Sequence, residues 1–226
     1  PCSGVMLCVD PTPTVIDEAV ERGCNLVVSH HPLLFKGLKH ITGATPVEQA
    51  VIKAITKGIS IYSAHTPLDS TVGGISYTMA KMLGARVTEV LDPFEADPAT
   101  GIGVVARLDS PLSADEFVNR VKSAFGSPVC RCSAAPDSPI ECVAMCGGAG
   151  GEYLPRAIKA GAQAFLSSDI RYHDFVDLGG DIFIVDIGHF ESESCAKDIF
   201  YHVITEKFPN FAVCKSELEK NSINYK

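Results

Sequence analysis

The chain has 226 residues, 46% hydrophobic and 20% charged, enough for a sizeable core in one large domain or two smaller ones. Its net charge of −8 and pI near 5.3 argue against a general nucleic-acid surface, and no run approaches the roughly 20 apolar residues that span a bilayer. Nine scattered cysteines, an odd number, read as small buried hydrophobes or free thiols; with no signal-peptide pattern at the start, the expected compartment is the reducing cytoplasm.

In chain order, a short buried strand is predicted at 5–9, followed by a helix over 14–22. That helix carries Val15, Ile16, Ala19 and Val20 at helical spacing and stops at Gly23. A buried strand at 26–28 comes next, then a helix over 46–57 with Gly58 as its stop, then a strand at 59–63. Alternation of this kind with short loops signals βαβ units and a largely parallel sheet. Gly73 and Gly74 open another helical pattern that runs to Met82. Residues 92–100, with Pro93, Asp97 and Pro98, read as a linker. Beyond it come a strand at 102–108, a helix over 113–125 with Ser113 and Glu116 at capping-box spacing, and a strand at 128–132. A strand at 140–146, a helix over 153–160, strands at 164–167 and 182–186, a helix over 193–207 and a strand at 211–214 complete the chain.

The later elements replay the earlier ones. Gly23 aligns with Gly161, Ser29 with Ser167, His65 with His189, and Asp69 with Glu193. The expected fold is therefore α/β, with two similar lobes from an internal duplication, 1–98 and 99–226, and largely parallel sheets. In such sheets functional residues gather at the carboxyl ends of strands. His30 and His31 lie at one such end, where Pro32 forces the chain out of the strand. His65 and Asp69, like His189 and Glu193, are spaced to share a helix face about 5–6 Å apart. Neutral imidazole and carboxylate together suit Zn²⁺, Mn²⁺, Fe²⁺, Co²⁺ or Ni²⁺, whereas an all-oxygen Ca²⁺ or Mg²⁺ cage needs no histidines. A pair of such ions can clamp and activate a water. Gly147, Gly148, Ala149, Gly150 and Gly151 after the 140–146 strand read either as a phosphate cradle at a helix N-terminus or as a tight turn.

At these residues the chain resembles a known family. Ser29, His30, His31, Pro32 and Leu33 form one matching block, and Ala64 to Asp69, read Ala-His-Thr-Pro-Leu-Asp, form a second. Gly188, His189, Phe190, Glu191, Ser192 and Glu193 form a third. Cys146 with the glycine run, and Ser168 through Asp174, supply two more in the same order. These blocks are similar to the signatures of the Nif-three-like family, whose members carry the label GTP cyclohydrolase 1 type 2 homolog. The resemblance implies a dinuclear metal site between two α/β lobes and a homohexamer. It implies metal ligation by His30, His31, Asp69, His189 and Glu193, with Glu193 bridging. His65 is implied as a further ligand or a group beside the metals, and His173 as the free imidazole that donates or accepts a proton. Arg171 and Tyr172 are candidates for orienting an anionic substrate. The implied activity is metal-dependent hydrolysis of a small molecule or nucleotide, the alternative being a non-catalytic metal-binding scaffold or protein-interaction module. Relative to the family pattern, an Asn-rich leading segment is missing before the first strand, and 92–101 is too short for the domain that longer members insert there.

Overall fold

The computed structural model describes residues 1–226. The chain begins with β1 (Val5–Cys8), α1 (Pro13–Glu21), β2 (Leu26–Ser29), α2 (Pro46–Lys57), β3 (Ser60–Ser63), α3 (Thr66–Ser70), α4 (Ile75–Leu83) and β4 (Ala85–Phe94). It continues with β5 (Asp97–Leu112), α5 (Ala114–Phe125), β6 (Arg131–Cys132), β7 (Ile140–Ala149), a single 3-10 turn at Gly151–Tyr153 and α6 (Leu154–Lys159). The last elements are β8 (Ala164–Ser168), α7 (Tyr172–Leu178), β9 (Phe183–Asp186), α8 (His189–Glu193), α9 (Ala196–Lys207) and β10 (Val213–Lys215). They divide into one unit of Pro1–Leu68 with Ala196–Ser222, and another of Asp69–Cys195 with Ile223–Lys226. No helix is long and apolar enough to cross a membrane.

In the first unit, local sequence sets the helix limits. Thr12 and Thr45 accept backbone N–H bonds from Val15 and Glu48, each just before a proline that suits the first helical turn. Gly58 ends α2 at φ 68, the left-handed conformation that glycine adopts without a Cβ clash. The apolar faces, Val15, Ile16 and Ala19 on α1 with Ala50 and Ala54 on α2, close over Met6, Cys8 and Val27 of the sheet. Each fully buried aliphatic side chain contributes roughly 1.5–3 kcal/mol. The sheet order is β10-β1-β2-β3, all parallel. Cys8 pairs with Ser29, and Ser29 with Ser63, so three strands end level at one carboxyl edge. Asp10, His30, His31 and His65 all follow that edge within a few residues.

In the second unit, the sheet order is β4-β5-β7-β8-β9-β6. Only the β7-β8-β9 run is parallel; β4-β5, β5-β7 and β6-β9 are antiparallel. The expectation of largely parallel sheets therefore holds for the first sheet and is corrected to mixed for the second. The stretch read as a linker, 92–100, is the hairpin that makes the difference. Pro93 pairs with Gly101, and Phe94 with Asp97, across a tight turn. Pro93 is tolerated because β4 is an edge strand, where a missing N–H breaks no ladder. The capping box of Ser113 and Glu116 starts α5, whose Phe117, Val121 and Phe125 are buried. Behind the parallel run, Cys146, Leu154, Ala157, Phe165 and Ile184 pack into one cluster. All nine cysteines are free thiols.

Candidate metal centre

At the carboxyl edge of the first sheet, Ser29 fixes the exit of β2. Its hydroxyl bonds Ser63 Oγ at 2.8 Å and donates to the His31 carbonyl at 2.7 Å. The backbone N–H groups of His30 and His31 donate to Cys8 O and Val9 O. With the backbone held in this way, three imidazoles gather. Ring centroids are 5.0 Å apart for His30 and His31, 5.4 Å for His30 and His65, and 5.7 Å for His31 and His65. One ring nitrogen from each lies within 4.8 Å of the others. His30 is fully buried. His31 Nδ1 stands 2.8 Å from Asp10 Oδ1. With Nδ1 protonated the ring donates to that carboxylate and presents the Nε2 lone pair, the arrangement by which outer carboxylates fix a metal-binding histidine.

The second unit carries a set dominated by carboxylate. Asp69 lies on α3, and one of its oxygens is within 4.8 Å of a Glu193 oxygen. His189 opens α8 and Glu193 closes it, which places His189 Nε2 3.1 Å from Glu193 Oε2. On its other side His189 Nδ1 is 2.8 Å from Asp169 Oδ2. Asp169 is the one non-glycine residue with positive φ, at 51°. Strained backbone of this kind persists where surrounding structure over-determines it, often at functional sites. Gly188, at φ 92, turns the chain from β9 into α8. The glycine run is part of the same construction. Gly148 N–H donates to Ser192 Oγ at 2.9 Å, and its carbonyl accepts from Ser167 and Ser168. A Cβ on Gly148 would lie 2.3 Å from Glu193 Oε1. The positive φ of 62 at Gly148 favours glycine, and there the β7 backbone passes close against the buried carboxylate.

The electrostatics point the same way. The Glu193 hydrogen bond is the largest cause raising His189 to about 9, against the opposing effect of burial, with Asp169 adding to the rise. The Cys146 thiol is pushed far up, first by burial and then by the negative charges of Asp69 and Glu193. Buried negative charge with imidazole beside it is a setting that a cation neutralises. The His, Asp and Glu groups present therefore fit a first-row divalent metal.

Three other candidate residues lie at the start of α7. His173 is exposed at the start of α7, its ring edge-on to Tyr172 at 5.4 Å. Arg171 is committed to Asp174, with Nε and Nη2 at 3.0 and 2.8 Å from its two carboxylate oxygens. That pairing holds the Asp174 carboxyl below its ordinary value. Tyr172 is exposed. Sequence reasoning assigned no role to Asp10 or Asp169. Asp169 directly follows β8 and Asp10 lies two residues past β1, each at the carboxyl edge of its own sheet, but the histidine that gives each its role is 20 or 21 positions away in the chain.

Comparison with known proteins agrees with the motif resemblance. The profile of Duf34/NIF3 (NGG1p interacting factor 3) matches residues 1–222. A protein of Clostridium perfringens named GTP cyclohydrolase 1 type 2 homolog is 35% identical over 192 residues, covering 84% of this chain and 72% of the relative. Among solved structures, a Staphylococcus aureus hypothetical protein superposes with a TM-score of 0.93 at 24% identity, over 100% of this chain and 88% of that one. A Bacillus cereus protein related to NIF3 gives 0.91 at 21% identity, covering 100% and 90%. The chain belongs to the Duf34/NIF3 family.

Proposed function

We propose that this protein binds two divalent first-row ions (Zn, Fe, Mn, Co or Ni) and uses them to hydrolyse a small molecule or nucleotide. The observation that carries the reading is the repeated carboxylate-backed imidazole, His31 on Asp10 and His189 on Asp169, each at 2.8 Å. In the proposal His30, His31, Asp69, His189 and Glu193 would hold the ions. Bound ions of this kind supply Lewis acidity and a water acidic enough to attack an electrophile near neutral pH. The protein's own groups do the rest. Asp10 and Asp169 fix ring orientation and tautomer, and the Gly148 backbone keeps Glu193 in one position. His65 acts beside the ions as a further ligand or a substrate contact, and His173 carries a proton to or from the substrate.

The name borne by the relatives makes GTP the first nucleotide to try. The proposal also includes an internal duplication over 1–98 and 99–226, supported by the matched strand pairs β2-β3 and β8-β9 with donors at corresponding ends. A homohexamer in the cytoplasm completes it, and light scattering of the purified protein tests the assembly. The activity test incubates metal-depleted and Zn²⁺- or Mn²⁺-reloaded protein with GTP and with aryl phosphate esters. Turnover that needs metal and disappears in Glu193→Gln supports the hydrolase. Reloaded protein that holds its metal and turns over nothing identifies a non-catalytic metal-binding scaffold instead.

A further inference from the structure

We propose that Glu219, in the C-terminal segment of the first unit, is a positioning residue for His31, acting through Asp10. Asp10 is the carboxylate that orients the His31 ring, yet its own side chain is 45% exposed and little packing fixes it. What fixes it is the backbone of the turn after β1. The N–H groups of Val9 and Asp10 both donate to Glu219 Oε1, at 2.8 and 2.7 Å. The same two residues set both parts of His31: Val9 O accepts its backbone N–H at 2.8 Å, and Asp10 Oδ1 meets its ring at 2.8 Å.

The Glu219 carboxylate is itself built in. Its side chain is 2% exposed, and Oε2 is paired with Lys197 Nζ at 2.8 Å. A buried carboxylate carries a large desolvation cost unless it is paired and hydrogen-bonded, as this one is. The surrounding segment is pinned as well. Ser216 Oγ donates to Glu18 at 2.5 Å and accepts the Glu219 N–H at 3.1 Å, while the N–H groups of Glu217 and Leu218 donate to Glu18. The tail is thereby fastened to α1 by Glu18 and to α9 by Lys197, and it delivers one carboxylate to the turn that carries Asp10. Val9 is fully buried, so its amide needs an acceptor from the protein, and a charged, buried acceptor shared by two adjacent amides holds the turn in one conformation.

The proposal rests on the metal-binding reading of His31, and its test separates the two. Glu219→Ala, Glu219→Gln and the control Glu217→Ala are prepared metal-free and checked for folding by circular dichroism. Glu217 binds Arg22 on the same tail without touching the Asp10 turn through its side chain. Imidazole nitrogen spectra read the His31 tautomer, and Zn²⁺ titration against a chromophoric chelator reads affinity. Glu219→Ala should weaken Zn²⁺ binding about 10-fold, the low end for partners outside the ligand shell, and should reduce the Nδ1–H tautomer of His31. Glu219→Gln, which keeps an acceptor oxygen for the two amides, should fall between Ala and wild type, and Glu217→Ala should match wild type. Should Glu219→Ala not fold, Glu219→Gln decides. Wild-type tautomer and affinity in the folded Glu219 variants would overturn the proposal. If wild-type protein takes up no Zn²⁺ but the His31 tautomer still follows Glu219, the metal reading fails and the positioning role stands.

Discussion

A Cβ added to Gly148 would sit 2.3 Å from the Glu193 carboxylate oxygen Oε1, and the Gly148 backbone holds φ 62. No side chain fits there without moving the carboxylate, and a non-glycine residue carries a further left-handed backbone penalty of about 1–2 kcal/mol. Gly148→Ala should therefore lower stability by at least about 1 kcal/mol and also weaken metal binding, because Glu193 is displaced. Denaturant melts and Zn²⁺ titration check both. A variant that melts and binds like wild type would mean that Glu193 is not held by this close approach.

Asp169→Asn separates charge from backbone. Asparagine tolerates the left-handed region at least as well as aspartate, so the φ of 51° survives the change. What is lost is the carboxylate 2.8 Å from His189 Nδ1. Metal affinity should drop about 10–100-fold, while stability changes by less than about 0.5 kcal/mol. Unchanged affinity would remove Asp169 from the account of the site.

Much of this was legible in the sequence, and for identifiable reasons. Val5, Leu26 and Ile59 open short apolar runs separated by capped, glycine-terminated helices, so the first sheet and its parallel sense followed from periodicity. His30, His31, His65, His189 and Glu193 were visible because ligand-type residues sit at strand ends or at helix-turn spacing. The β4-β5 hairpin was not legible. Pro93, Asp97 and Pro98 flank its turn and signal a loop wherever they occur, and only the pairing of Pro93 with Gly101 and Phe94 with Asp97 reveals a hairpin. The same holds for α7, a seven-residue helix too short for a clear period. Asp10, Asp169 and Glu219 were hidden for another reason. Their roles depend on contacts with residues 20 or more positions away, His31, His189 and the β1 turn, and no local pattern encodes such contacts.

The Glu48 carboxylate gives a pH prediction away from the site. The Thr42 hydroxyl and the Thr42 backbone N–H are the leading causes that hold it at about 2, below the ordinary 4.5, with Ala44 N–H and the Thr45 hydroxyl adding to the effect. A carboxyl depressed on folding stabilises the folded state above its ordinary value, and that contribution is lost as pH falls through the folded value. Glu48 should therefore contribute a stability loss between about pH 4.5 and pH 2. Urea melts across that window should show a shallower fall for Glu48→Gln than for wild type. Parallel curves for the two proteins would show that the 42–45 loop does not grip the carboxylate in solution.

The central claim is that these histidines and carboxylates hold a pair of metal ions, and elemental analysis tests it most directly. Protein purified without a His-tag or added metal is compared with a His31→Ala/Glu193→Ala double variant. The account predicts about two first-row ions per chain in the wild type, with most of that content lost in a variant that remains folded by circular dichroism. Wild-type protein that is metal-free as purified, and stays so after incubation with Zn²⁺, Mn²⁺ and Fe²⁺, would contradict it.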